Sequence, residues 1–290
     1  MDSSRFQTLI SPNGLAARMP ASDWVLVDCR FVLGQPDAGR LAYLNEHLPG
    51  AVYADLEKQL SGPVVAGRTG RHPLPPKSSI VSTMRQLGIS NGSQVVAYDD
   101  GPGYMAAARL WWILKFSGHD AVAVLDGGLT RWKQLGLPVQ TALATPAPGD
   151  FEASFRDEMV ITAAEIKQAL ESGMITLVDS RSADRFRGDN ETIDPVAGHI
   201  PGARCLPFVD NTQTSGVFHD PNGLRDRFSD LVPEQGPSAV AFYCGSGVTA
   251  AHNVLAFYHA GLGMPRLYPG SWSEWITDPS RPVEREQSPR

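Results

Sequence analysis

The sequence predicts an α/β protein built as two copies of one domain, each a mostly parallel central sheet flanked by helices. Short β-branched runs alternate with helical segments, the pattern of a parallel sheet covered on both faces. Four blocks also recur in the same order. VLVDCR (25–30) returns as TLVDSR (176–181), and HLPGA (47–51) as HIPGA (199–203). QVVAYD (94–99) returns as AVAFYC (239–244), and VLDGGLTRW (124–132) as LYPGSWSEW (267–275). The offsets drift slowly, from 151 and 152 to 145 and 143. That is a duplicated domain with loop insertions; a period near 150 residues is too long for a solenoid unit. Finally, residues 136–149 hold three prolines and no helical period, so they read as an extended linker.

In chain order, the first copy shows strands over 24–28, 94–98 and 121–125, and a helix over 104–116 that starts at Tyr104. Met105, Ala108, Leu110, Trp111, Trp112 and Leu114 make that helix apolar on most faces, so it is expected to be largely buried. The second copy shows strands over 175–179 and 238–243. Its first helix, over 163–171, opens at the capping box Thr162-Ala-Ala-Glu165 and presents Ile166, Ala169 and Leu170 on one face. The expected domains are 1–140 and 159–290, joined by a linker over 141–158.

Composition narrows the function. The chain has 290 residues, 42% hydrophobic and 19% charged, with net charge −6 and no Lys/Arg-rich run. A nucleic-acid or anionic-membrane partner is therefore not expected. The opening residues lack the apolar core of a signal peptide and no stretch is long enough to span a bilayer, so a cytoplasmic protein is expected. Three widely spaced cysteines, Cys29, Cys205 and Cys244, form neither a disulfide framework nor a zinc pattern.

One cysteine stands apart. Cys244 follows the strand at 238–243 and opens the turn 244–248, and a helix is expected from about Thr249 to Ala260. Open α/β sheets bind ligands at such strand-to-helix junctions. Gly245 and Gly247 permit positive φ and close backbone approach, so the N–H groups of the turn can form a nest around the sulfur. The nest and the helix dipole favour a thiolate, which makes Cys244 a nucleophile. A phosphatase-type loop needs Cys-x5-Arg to grip a tetrahedral phosphate. The corresponding position here is Ala250, so phosphate-ester hydrolysis is disfavoured. The shorter turn suits one extra sulfur atom held on Cys244 as a persulfide. Cys29 and Cys205 lack this setting and read as structural.

The CGSGVT turn (244–249), the two H-[L/I]-P-G-A turns, the paired V-D-x-R strand ends and the Trp132 and Trp275 segments together resemble the tandem-domain rhodaneses over nearly the whole chain. The resemblance implies two rhodanese-like domains with a single active site in the C-terminal one, the N-terminal domain lining part of it. Asp99 stands where Cys244 stands in the repeat, and an aspartate cannot carry sulfur. Thiosulfate-preferring members have a turn like Cys-Arg-Lys-Gly-Val-Thr, whereas members using 3-mercaptopyruvate resemble the turn seen here, with Gly245, Ser246, Gly247, Val248 and Thr249 following the cysteine. In the latter the serine is relayed to a histidine and an aspartate, for which the matching positions are His72 and Asp55. Arg185 matches the first of two substrate arginines. The stretch 190–197, where the second belongs, contains none, and Arg187 or backbone N–H groups are the expected substitutes.

The implied activity is transfer of sulfur from 3-mercaptopyruvate through a Cys244 persulfide to a thiol, a thioredoxin-like protein or cyanide, with release of pyruvate and no metal or organic cofactor. A thiosulfate-preferring enzyme on the same fold is the alternative, and a non-catalytic rhodanese-like binding module is the alternative outside enzymes. His47 and His199, in equivalent turns, read as structural, as do the pairs Asp28/Arg30 and Asp179/Arg181. His252 is read as a helix residue that can add local positive potential. Trp272 and Trp275 are read as core, with Trp272 near the pocket rim.

Overall fold

The computed structural model describes residues 5–19, 22–101 and 105–285. They form two compact units. The first takes Met1–Gly62, Pro75–Arg156 and Thr212–Phe218, and the second takes Pro63–Leu74, Asp157–Asn211 and His219–Arg290. The loop around His72, which lies within the first copy in sequence, therefore packs with the second unit.

The first unit is built on a parallel sheet of β1 (Leu9–Ile10), β2 (Trp24–Asp28), β3 (Val52–Tyr53), β4 (Gln94–Tyr98) and β5 (Val122–Leu125), in the order β1-β5-β4-β2-β3. Central β4 is buried at every position, as a strand covered on both faces must be. The helix Met105–Phe116 is buried from Ala106 to Phe116, in keeping with a sequence apolar on most faces. Tyr104, expected as its first residue, lies outside the described residues. Residues 141–156 contain neither helix nor strand. They are tied along the first unit by Gly149 N–H to Arg85 O (2.8 Å), Arg156 N–H to Phe116 O (2.8 Å) and a fully buried Phe151.

The second unit has a parallel sheet of β6 (Thr176–Asp179), β7 (Arg204–Cys205), β8 (Val240–Tyr243) and β9 (Arg266–Leu267), in the order β7-β6-β8-β9. Thr162 opens the helix Ala163–Ser172 with both hydrogen bonds of a capping box. The strand expected over 238–243 is shorter by two residues, because Pro237 starts a single 3-10 turn, Pro237–Ala239, before β8.

Duplication is visible atom by atom. Asp28 holds Arg30 through Nε and Nη2, and Asp179 holds Arg181 in the same way. The Tyr98 hydroxyl accepts from Leu48 N–H at 3.1 Å, and the Tyr243 hydroxyl from Ile200 N–H at 3.1 Å. Trp132 and Trp275 each donate to a proline carbonyl, of Pro138 and Pro282. His47 and His199 donate Nδ1–H at 2.7 Å to the carbonyls of Tyr43 and Phe186, and each stacks on that same aromatic ring. These polar groups are buried and locally satisfied, which is a structural role.

Candidate active site

β8 delivers Cys244 to the sheet's C-terminal edge, directly before the helix Thr249–His259. Cys244 is 1% exposed. The turn is held from two sides. Cys244 N–H donates to Ser271 Oγ (3.1 Å), and its carbonyl accepts from Trp272 N–H (2.9 Å). The Gly245 carbonyl accepts from Ser273 N–H (2.9 Å). Gly247 N–H then points back to Cys244 Sγ at 3.2 Å, an N–H of the nest expected from the sequence.

The two glycines serve different ends. Gly247 has φ +75°, and a β-carbon there would fall 2.4 Å from the Pro269 carbonyl oxygen. Both its left-handed backbone and its close packing require glycine. Gly245 does not have a left-handed φ. A β-carbon at Gly245 would instead meet Arg71 Nη2 at 2.8 Å and Arg185 Nη2 and Nη1 at 3.6 and 3.7 Å. It leaves room for two guanidinium groups. Val248 is the N-cap of the following helix and Thr249 its first residue, so both sit on the edge of the turn.

Ser246 is buried, and its Oγ shares a 2.8 Å hydrogen bond with His72 Nδ1. His72 reaches this position on the loop Pro63–Leu74, which docks by close backbone contact. A β-carbon at Gly70 would lie 2.5 Å from the Gly270 carbonyl oxygen, and Arg71 N–H donates to Ser273 Oγ at 3.0 Å. Asp55 belongs to the first unit. Its Oδ1 accepts from Glu57 N–H (2.9 Å) and Lys58 N–H (3.0 Å), so it caps the turn that follows.

Arg185, on the short helix Ala183–Arg187, is clamped by Glu191 through Nε and Nη2 (both 3.0 Å) and reaches Asp194 Oδ2 through Nη2 (3.1 Å). Arg71 Nη1 binds the other oxygen of Asp194. Burial pushes the Asp194 carboxyl up from its ordinary range, against the pull of Arg71 and Arg185. The Glu191 side chain is also buried, but the N–H groups of Asp194 and Ile193 and the Arg185 guanidinium hold its carboxyl below the usual carboxylate range. Arg187, expected as a possible second cation, pairs instead with Asp189 at the surface (2.8 Å).

Other expectations change on contact with the geometry. His252 is fully buried and hydrogen-bonds Asn211 at 3.1 Å, and burial lowers its pKa to about 3. It is neutral near pH 7 and adds no positive potential. Trp272 is fully buried, donates to Val196 O and carries Arg181 over its ring at 4.9 Å, so it is core and not rim. Cys29 is buried, and burial raises its thiol pKa far above the ordinary value.

Sequence reasoning missed four contributors: Arg71, Glu191, Asp194 and Ser271. Ser271 has φ +55°, unusual for a residue with a side chain, and its hydroxyl joins Cys244 N–H to the Tyr268 carbonyl. The repeat held a signal for it, because Ser271 aligns with Gly128, whose φ is +56°.

Residues 11–135 and 162–278 each match the rhodanese-like domain family. The chain is 48% identical to a probable 3-mercaptopyruvate sulfurtransferase of Pseudomonas aeruginosa, over 95% of this chain and 97% of that one. It is 42% identical to a putative thiosulfate sulfurtransferase of Mycobacterium tuberculosis, over 97% and 98%. Among solved structures it resembles the 3-mercaptopyruvate sulfurtransferase of Leishmania major, with TM-score 0.80 and 34% identity, covering 93% of this chain and 74% of that one.

Proposed function

This chain belongs to the rhodanese family, and from that membership we propose that it is a sulfurtransferase taking sulfur from 3-mercaptopyruvate through a persulfide on Cys244. The observation that carries this reading is the turn itself: a cysteine at a strand-to-helix junction, an N–H donor 3.2 Å from its sulfur, and Ser246 hydrogen-bonded to His72 beside it. The Cys244 thiolate attacks the mercaptan sulfur, and the S–S bond forms as the C–S bond breaks. The leaving pyruvate enolate takes up the proton lost by the mercaptan. The Ser246 hydroxyl, oriented by His72, is the group placed to carry that proton. Asp55 is kept as the acid of this relay on the strength of the resemblance. The nest N–H groups, with Gly245, Gly247, Val248 and Thr249 shaping the wall, solvate the persulfide anion. A second nucleophile, a small thiol, a thioredoxin-like protein or cyanide, then takes the outer sulfur and restores the Cys244 thiolate.

Thiosulfate is the competing donor, and the uncharged Ser246 argues against it, since a dianion gains more from a cation at that place. No helix among the described residues is long and apolar enough to cross a membrane. Work in the cytoplasm is part of the proposal, supported by three free cysteines. The test is a donor comparison joined to cysteine variants. We expect kcat/KM for 3-mercaptopyruvate to exceed that for thiosulfate, and incubation with donor alone to add the mass of one sulfur atom to the Cys244 peptide. Cys244→Ser should abolish transfer, whereas Cys29→Ser and Cys205→Ser should retain it. Substantial turnover by Cys244→Ser refutes the mechanism.

A further inference from the structure

Arg71 is not a residue the sequence pointed to, yet it lies closer to the turn than Arg185. Its Nη2 would be 2.8 Å from a β-carbon on Gly245, the residue next to the nucleophile, and Arg185 presents Nη1 and Nη2 over the same spot at 3.7 and 3.6 Å. One carboxylate, Asp194, binds both guanidinium groups, one on each oxygen, and so holds two like charges side by side. Arg185 spends Nε and Nη2 on Glu191. Arg71 spends only Nη1 on Asp194, and its Nε–H is buried with no hydrogen-bond partner among the described residues. A buried donor left without an acceptor is costly, and here it belongs to a cation packed against Gly245, the residue next to the nucleophile. Meanwhile the stretch 190–197 supplies Glu191 and Asp194, two anions, and no second arginine.

We infer that Arg71, carried in on the loop Pro63–Leu74, is the second carboxylate-binding arginine of this site, working with Arg185 across the open face of Gly245. The inference rests on the proposed persulfide chemistry at Cys244. An α-keto acid offers a planar carboxylate with an adjacent ketone oxygen, and planar guanidinium forks match it. The surrounding charges nearly cancel, because Glu191 and Asp194 face Arg71 and Arg185, and Arg181 reaches Glu191 as well as Asp179. Such a cluster recognises a single carboxylate by the direction of its N–H groups more than by net positive field, which favours a monocarboxylate donor over a dianion.

The experiment alkylates Cys244 with iodoacetate and with iodoacetamide, reagents alike in shape that differ by one carboxylate, and reads the modified Cys244 peptide by mass. In Arg71→Ala the iodoacetate-to-iodoacetamide rate ratio should fall about tenfold, and the KM for 3-mercaptopyruvate should rise at least tenfold with a smaller change in kcat. Arg71→Gln, which keeps a donor toward Asp194 without the charge, should behave likewise and serves if the alanine variant does not fold. If folded variants keep the wild-type ratio and KM, or lose reactivity equally toward both reagents, Arg71 does not bind the carboxylate. If the ratio falls but the wild-type protein does not use 3-mercaptopyruvate, the carboxylate site stands and the donor assignment fails.

Discussion

At Gly247 two demands meet on one residue. The backbone is left-handed, at φ +75°, and the Pro269 carbonyl oxygen occupies the space a β-carbon would need. Gly247→Ala must therefore move backbone against backbone, and neither side is a flexible side chain that can yield. We expect a loss of about 2–3 kcal/mol in stability by chemical denaturation. The N–H to Cys244 Sγ contact should loosen with it, so alkylation of Cys244 by neutral iodoacetamide should change in the same variant. The need for glycine was legible in the sequence here, because a cysteine flanked by small residues at a strand-to-helix junction has few other uses. The reason for Gly245 was not legible. It depends on Arg71, which lies 174 positions earlier in the chain.

Elements with strong local signals could be read from the chain, and weak ones could not. β2 and β4 run five residues each and match the expected bounds. β1, β3, β7 and β9 have two residues each, too few for any periodicity, and exist only because a neighbouring strand pairs with them. The helix Ala163–Ser172 is the opposite case, since its start is written in four residues. Thr162 Oγ1 accepts from Glu165 N–H at 3.3 Å, and Glu165 Oε2 accepts from Thr162 N–H at 2.7 Å. Thr162→Ala removes one half of this box and should cost about 1 kcal/mol, measured by urea unfolding. Transfer activity should stay unchanged, because Ile166 still anchors the helix in the core. A fall in turnover at constant stability would give this helix a part in the chemistry that its local structure does not suggest.

At the scale of the whole molecule, the duplication was the most legible feature, because order-preserving repeats survive drift in spacing. The packing of Pro63–Leu74 with the second unit was hidden, since close contacts such as Gly70 against Gly270 leave no pattern in the chain. The two copies also diverge at one position with a measurable consequence. Asp99 occupies the place of Cys244 and inherits its buried setting, with Leu129 N–H bound to the Asp99 carbonyl as Trp272 N–H is to that of Cys244. Burial raises the Asp99 pKa from 3.8 to about 7, with Asp100 and Asp28 adding to the shift and the Ala107 N–H opposing it. Between those two values the folded chain keeps a proton that the unfolded chain has lost. Stability therefore falls as pH rises from about 4 to 7, by on the order of 4 kcal/mol in total. Asp99→Asn removes the titrating group while keeping an acceptor for Ala107 N–H. The variant's stability relative to wild type should climb across pH 4 to 7 and level off above pH 8, as read from urea midpoints over a pH series. A difference that does not vary with pH would mean that Asp99 is ionised in the folded protein and has found a cationic partner or water.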